Sequence, residues 1–339
     1  MTVASSEDVA WFPVGHDSAV GAVRRAAMAL ADRVGFTEST VGEVGIVATE
    51  LASNQVKHAG GGAVLLRACR TGQDVGVEVV ALDRGPGMED VPQSFRDGHS
   101  STGTLGIGLG AVSRLATSWD VFSTPGRGVV ITASFGPDGV TTSSGPVAVA
   151  GVSRPLTGED VCGDAYAVRV DGDVVSLTMV DGLGHGPLAA TASSSAVRAF
   201  QAAPAGSALT LLTAMHRALA GTRGAAVAVL QTDGGATVSH AGIGNISGHI
   251  FGAERRRGLL SYPGIAGGQV RTLRENSYEL PPRAVVVLHS DGVSDTLDLG
   301  TDPTLFRRSP TVISALALRD FGTRNDDAGV ITLRRIDGG

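Results

Sequence analysis

Four aspartate-containing turns in the second half of the chain stand beside apolar, strand-like runs: Gly163-Asp164, Asp181-Gly182, Ser290-Asp291-Gly292 and Asn325-Asp326-Asp327. Carboxylate and carbonyl oxygens are the donors that hard divalent cations take. Taken singly, an Asp-Gly pair is an ordinary turn signal. Several carboxylates brought to one sheet edge repel each other unless a cation neutralises them. The first half offers a different set. Glu50 and Asn54 are four residues apart and Lys57, the only lysine, follows three later. Helical spacing projects all three from one face, a pattern that a solvated helix face shares. Asp83-Arg84-Gly85-Pro86-Gly87 closes an apolar run, where an acid can hold an amino group and glycines let backbone approach a planar ring. Gly106, Gly108 and Gly110, in Leu105-Gly-Ile-Gly-Leu-Gly, open a helical pattern whose free N–H groups suit phosphate.

The elements that must position these residues follow from periodicity. Apolar residues at helical spacing predict an amphipathic helix from about Ser18 to Val34. A second, capped by Thr37 or Ser39, carries Glu50 and Asn54. Strands follow at Ala63 to Cys69 and Val75 to Leu82, then a polar lid from Phe95 to Thr104 and a closing strand at Gly126 to Ile131. Residues 137–146, rich in Gly, Pro, Ser and Thr, read as a linker between a domain at 1–136 and another at 147–339. The second half alternates eight strand-like runs with three helices, near 188–201, 207–220 and 310–320. Periodicity alone leaves a layered β-sandwich and other α+β arrangements open.

A length of 339 residues predicts two domains. A net charge of −6, with no basic run beyond Arg255-Arg256-Arg257, which reads as a solvated loop, argues against nucleic acid as the main partner. Met1 to Ala10 lacks the basic-then-apolar pattern of a leader, and no apolar run reaches membrane-spanning length, so a bacterial, cytoplasmic protein without a membrane partner is expected. Cys69 and Cys162 lack CxxC spacing and read as free thiols.

The order Glu-Leu-x-x-Asn, Asp-x-Gly-x-Gly, short lid, Gly-x-Gly-Leu-Gly resembles the GHKL ATPase/kinase family, and within it the anti-sigma and switch kinases of the RsbT and RsbW type. The resemblance covers about Ala19 to Phe135. It implies an α/β sandwich with a mixed sheet covered by helices on one face, and ATP with Mg²⁺ as cofactor. It further implies Asn54 as Mg²⁺ ligand, Glu50 as catalytic base or water-positioning acid, Lys57 at phosphate oxygens and Asp83 at adenine. Gly85, Gly87, Gly106, Gly108 and Gly110 would shape the pocket. No phosphoacceptor-histidine helix precedes it, so His16 and His58 read as ordinary helix-end residues.

The aspartate turns of the second half, with Val180-Asp-Gly-Leu-Gly-His-Gly186 at their centre, resemble the SpoIIE-like branch of the metal-dependent protein phosphatases (PPM family), RsbX-type enzymes in particular. That resemblance spans about Val147 to Arg335 and implies a β-sandwich flanked by helices. It implies two Mg²⁺ or Mn²⁺ ions held by Asp164, Asp181, the Gly182 carbonyl, Asp291 and Asp326, bridging a water or hydroxide that attacks phosphoserine or phosphothreonine. Asp327 is an alternative to Asp326. The Thr that often follows the acidic pair is absent, and no phosphate-binding arginine of the eukaryotic type is evident, although Arg154 is a candidate. His185 either orients water or fits the turn; His240 and His289 read as structural.

Together the resemblances imply an α+β, two-domain, bifunctional regulator. One half would phosphorylate, and the other dephosphorylate, Ser/Thr of a STAS-domain anti-anti-sigma or stressosome protein, with a sigma factor as a further possible partner. Alternatives are a nucleotide-dependent binding module fused to an active phosphatase, and an ATP-binding scaffold whose metal site is degenerate.

Overall fold

The computed structural model describes residues 2–95, 108–136, 142–144, 146–252, 256–270, 272–300 and 302–336. The chain divides into two units, Ser6–Val140 and Thr141–Gly339, with Met1–Ser5 grouped with the second. Elements are numbered in chain order.

The first unit contains β1 (Thr2–Val14), α1 (Asp17–Arg33), α2 (Glu38–Asn54), β2 (Gly62–Thr71), β3 (Asp74–Asp83), α3 (Val91–Ser94), α4 (Gly110–Leu115), β4 (Ser118–Ser123) and β5 (Val129–Phe135). Thr37 caps α2 by accepting the Thr40 N–H, and Val44, Val47, Ala48 and Leu51 form the buried stripe behind the cap. They pack with Val23, Ala27 and Leu30 of α1 against the alternate residues Val64, Leu66, Val77, Val79 and Ala81 of the sheet. Strand order is β1-β2-β3-β5-β4. The described β2–β3, β3–β5 and β5–β4 ladders are all antiparallel, so among them the expected mixing of directions is not seen.

The second unit contains β6 (Thr142–Ser144), β7 (Val147–Arg154), β8 (Asp164–Asp171), β9 (Val174–Gly182), α5 (Pro187–Ala202), α6 (Ala208–Ala218), β10 (Ala225–Thr232), β11 (Thr237–Ile243), β12 (Ser247–Phe251), β13 (Arg256–Leu259), β14 (Asn276–Glu279), β15 (Val285–His289), α7 (Pro310–Phe321) and β16 (Ala328–Arg335). Two antiparallel sheets result, β14-β11-β10-β9-β8 and β13-β12-β15-β16-β7-β6. Leu177 and Met179 of β9 point between them and meet Val286, Leu288, Ile331 and Leu333 of the other sheet. Val180 points the opposite way, into a second core with Phe200 of α5 and Leu211 and Met215 of α6. This is a β-sandwich flanked by helices.

Two expectations change. Arg256 and Arg257 belong to strand β13 rather than a loop, and part of the expected linker, Thr142–Ser144, pairs with β7. No helix among the described residues is long and apolar enough to cross a membrane.

Candidate functional site

In the second unit Asp164 opens β8 and Asp181 is the penultimate residue of β9, and the antiparallel register sets them directly opposite each other. Asp291 lies just past β15, and Asp326 and Asp327 just before β16, which pairs with β15 through His289 and Val330. The two sheets thus deliver their aspartates to one end of the sandwich, where Asp164 and Asp181 each feel the charges of Asp291 and Asp327. Gly292 is required by that crowding, because any side chain there would collide with the Asp327 carbonyl oxygen.

The two adjacent acids differ in use. Asp327 is buried, and its two carboxylate oxygens accept the N–H groups of Leu156 at 2.7 Å and Gly163 at 2.8 Å. It therefore fastens the segment leading into Asp164. Asp326 is half-buried, its Oδ1 accepts the Asp327 N–H at 2.9 Å, and its charge acts on Asp181 and Asp291. Two residues not singled out by the sequence hold the acids in place. Asn245 Nδ2 donates to Asp291 Oδ2 at 2.7 Å. The buried Ser290 bonds the Asp164 side chain while its Oγ accepts the Gly329 N–H. Ser290 adjoins Asp291 in the sequence, whereas Asn245, 46 residues before Asp291, carried no such signal.

Whether this end of the sandwich suits divalent cations can be tested on its own atoms. Asp164 is 4% exposed, and its Oδ2 is buried without a hydrogen-bond partner, which costs free energy unless something positive sits against it. The donors are all hard oxygens, as Mg²⁺ or Mn²⁺ prefer. Among the described residues no three acidic, His or Cys side chains are already close enough to cage an ion. A proton does part of the work instead, as Asp181 shares a side-chain hydrogen bond with Asp291, which requires one of the two to be protonated. The site fits the cations.

Burial, and next the Asp181 charge, push Asp164 well above the usual carboxylate range. Burial, then the Asp291 and Asp326 charges, lift Asp181 to about 7, and burial with Asp326 raises Asp291. Because these values are raised in the folded state, the metal-free fold holds protons that the unfolded chain has already lost. What these groups contribute to stability is then greatest at low pH and is lost as pH rises from the free carboxylate value towards about 7. The melting temperature in chelator is expected to drop between pH 5 and pH 8. Mn²⁺ is expected to restore more at pH 8 than at pH 5, because cation and proton compete for the same oxygens. A melting temperature that is flat with pH in chelator would contradict this.

In the first unit Glu50 and Asn54 lie on α2, both half-buried, and a π-helical turn, Gln55–Ala59, follows directly. The wider turn rotates Lys57 off the straight helical row, and it is exposed. The π turn has a visible cause. Gln55 is buried, and its Nε2 donates to the carbonyls of Ala63 at 2.9 Å and Leu82 at 3.2 Å, tying the helix end that carries Asn54 to the strand end that carries Asp83. Asp83 Oδ1 accepts the Gly85 N–H at 2.8 Å. Gly85 passes so close to Ala59 that an added Cβ would stand 2.6 Å from it, and the Gly126 N–H reaches the Pro86 carbonyl at 2.7 Å. The Asp83–Gly87 loop is thereby wedged between the π turn and the β4–β5 turn. Gly108 and Gly110 lead into α4, which has six residues; Gly106 and most of the expected lid lie outside the described residues.

The remaining candidates separate clearly. Arg154 donates to the Thr323 carbonyl, and His185 Nδ1 lies 3.0 Å from Glu159 Oε1 at the surface. His240 and His289 are buried, as expected of structural residues, and burial lowers both pKa values.

With that geometry in view, residues 15–135 match the family model described as histidine kinase-like ATPase domain, and residues 171–335 match that of stage II sporulation protein E (SpoIIE). The serine/threonine-protein kinase RsbT of Bacillus subtilis (strain 168) is 31% identical over 112 residues, covering 33% of this chain and 84% of RsbT. A solved structure from "The bacterial stressosome: a modular system that has been adapted to control secondary messenger signaling" is 30% identical. It covers 56% of this chain and 99% of its own, with a TM-score of 0.51. RsbX in complex with magnesium is 17% identical, covering 57% and 98%, with a TM-score of 0.49.

Proposed function

Since the chain belongs to the RsbT-related family of histidine kinase-like ATPase domains through residues 15–135, and joins to it a SpoIIE-type phosphatase domain, we propose that it adds and removes phosphate on one protein partner. The observation that carries the phosphatase side is the opposed Asp164–Asp181 pair with its partnerless buried oxygen.

In this reading Asp164, Asp181, Asp291, Asp326 and the Gly182 carbonyl hold two Mg²⁺ or Mn²⁺ ions. Bound there, the cations supply Lewis acidity, neutralising charge on phosphate oxygens and activating water. Asp327 keeps its oxygens on the Leu156 and Gly163 amides and positions Asp164 through the backbone, which favours Asp326 as the ligand of the two. Asn245 and Ser290 fix the angles of Asp291 and Asp164. In the other half Asn54 holds Mg²⁺ and Glu50 accepts the proton of a Ser or Thr hydroxyl as it attacks the γ-phosphate of ATP, with ADP leaving. Asp83 receives the adenine amino group, and Lys57 with Gly85, Gly87, Gly106, Gly108 and Gly110 surrounds the phosphates and ring.

The partner is a STAS-domain anti-anti-sigma or stressosome protein, a reading supported by the likeness to RsbT and to the stressosome-associated structure. Incubating the protein with such a partner, Mg²⁺ and γ-labelled ATP tests it. Label is expected to accumulate on partner Ser or Thr with the Asp181→Asn variant, and to be released as inorganic phosphate when wild-type chain with Mn²⁺ is added. Nucleotide binding without transfer would favour a binding module fused to a phosphatase. A phosphorylated partner that stays phosphorylated with Mn²⁺ present would overturn the phosphatase assignment.

A further inference from the structure

Arg154, the arginine the sequence offered for the substrate phosphate, is committed to the Thr323 carbonyl. The α6–β10 connection provides another. Ala225 pairs with Gly182, so Arg223 leaves the sheet two residues earlier, at the same end as the Asp181 turn. The Leu183 N–H donates to the Gly224 carbonyl at 3.1 Å, lacing the two loops together. Arg223 Nη1 stands 3.2 Å from where a Cβ on Gly184 would be, so the guanidinium lies on the turn itself. On its other side, the Gly184 carbonyl oxygen approaches Gly163, the neighbour of Asp164. The loop is braced, as Thr222 Oγ1 donates to the Leu219 carbonyl at 2.7 Å and accepts the Gly224 N–H at 3.0 Å.

Arg223 is exposed and, among the described residues, makes no hydrogen bond or ion pair, although an aspartate cluster lies nearby. A guanidinium presents a planar fork that matches phosphate oxygens two at a time. Four carboxylates and two divalent cations cancel in charge, so an incoming phosphate dianion still calls for a positive group. Leu183 and Ile265 flank the arginine, each 40% exposed, and Ile265 Cγ2 stands 2.5 Å from the Cβ position of Gly224. We propose that Arg223 binds the phosphate of the phosphatase substrate, and that Leu183 and Ile265 beside it take apolar side chains of a phosphorylated polypeptide. This deepens the phosphatase reading and rests on it.

Arg223→Ala and Arg223→Lys in the full chain loaded with Mn²⁺ provide the test. For the alanine variant, KM for a phosphoserine STAS-domain protein and the calorimetric dissociation constant for inorganic phosphate are both expected to rise about 10- to 100-fold. Lysine is expected to fall between, and the melting temperature to stay at the wild-type value because the side chain is exposed. Unchanged phosphate affinity in the alanine variant overturns the assignment. A KM for p-nitrophenyl phosphate as low as that for the phosphoprotein overturns the polypeptide part. Wild-type protein that binds phosphate but turns over no phosphoprotein sinks the phosphatase reading instead, and the calorimetry still judges Arg223.

Discussion

Asp181→Asn is expected to lower phosphatase turnover by at least about a hundredfold while raising the melting temperature of the metal-free protein by a few degrees near pH 8. The two effects have one origin. Asp181 faces Asp164 across the β8–β9 ladder and is surrounded by the charges of Asp291, Asp326 and Asp327. A ligand that brings divalent cations to the site loses its charge in the amide, and several kcal/mol of transition-state stabilisation go with it. Without cations the same carboxylate is a liability, its pKa pushed up to about 7 by burial first and then by the charges of Asp291 and Asp326. The amide keeps the shape and can donate to Asp291 as the protonated acid does.

The pH dependence supplies the discriminating measurement. In wild-type protein the approach of Asp181 to its pKa of about 7 removes stability as pH rises, whereas an amide does not titrate. Differential scanning calorimetry in chelator at pH 5 and pH 8 should show a smaller drop for Asp181→Asn than for wild type. Loss of turnover accompanied by a lower melting temperature at pH 8 would make Asp181 a structural residue rather than a cation ligand.

The interior of both units was legible because buried strands and helices advertise their period. The stripe Val44, Val47, Ala48, Leu51 and the alternation through β9 are examples. Of the strands that escaped notice, β1, β4, β6, β13 and β14, the last four end their sheets. An edge strand pairs on one side only, so it need not be apolar on either face, and segments such as Arg256–Leu259 and Thr142–Ser144 carry no alternation to read. The aspartate turns were visible as turns, but the division of labour between Asp326 and Asp327 was not. It depends on Leu156 and Gly163, more than 160 residues away in the chain, arriving to donate to one of two adjacent acids. The same holds for Gln55. A polar residue after a helix stripe looks solvated until the strands supply the Ala63 and Leu82 carbonyls that bury it. The resulting π turn is why the Glu50, Asn54, Lys57 row is straight in sequence spacing but not in the fold.

That contrast separates function from stability at the end of α2. Asn54→Ala is expected to reduce ATP-dependent phosphotransfer to the partner by at least about a hundredfold, with nucleotide binding losing most of its dependence on Mg²⁺. The fold should be indifferent, since Asn54 is half-buried and its side chain makes no hydrogen bond among the described residues. Gln55→Ala, one residue on, is expected to do the reverse in the first instance. Loss of Nε2 takes away a donor that the Ala63 and Leu82 carbonyls share, at a cost of about 1–3 kcal/mol, and loosens the Asp83 loop that the π turn supports. Nucleotide affinity in that variant should fall together with the melting temperature, with Mg²⁺ dependence retained. Parallel titrations of ATP with and without Mg²⁺, alongside thermal melts of both variants, distinguish the two roles. If Asn54→Ala left the Mg²⁺ dependence intact, the cation would have to be held elsewhere, and the kinase half would lose its assigned centre.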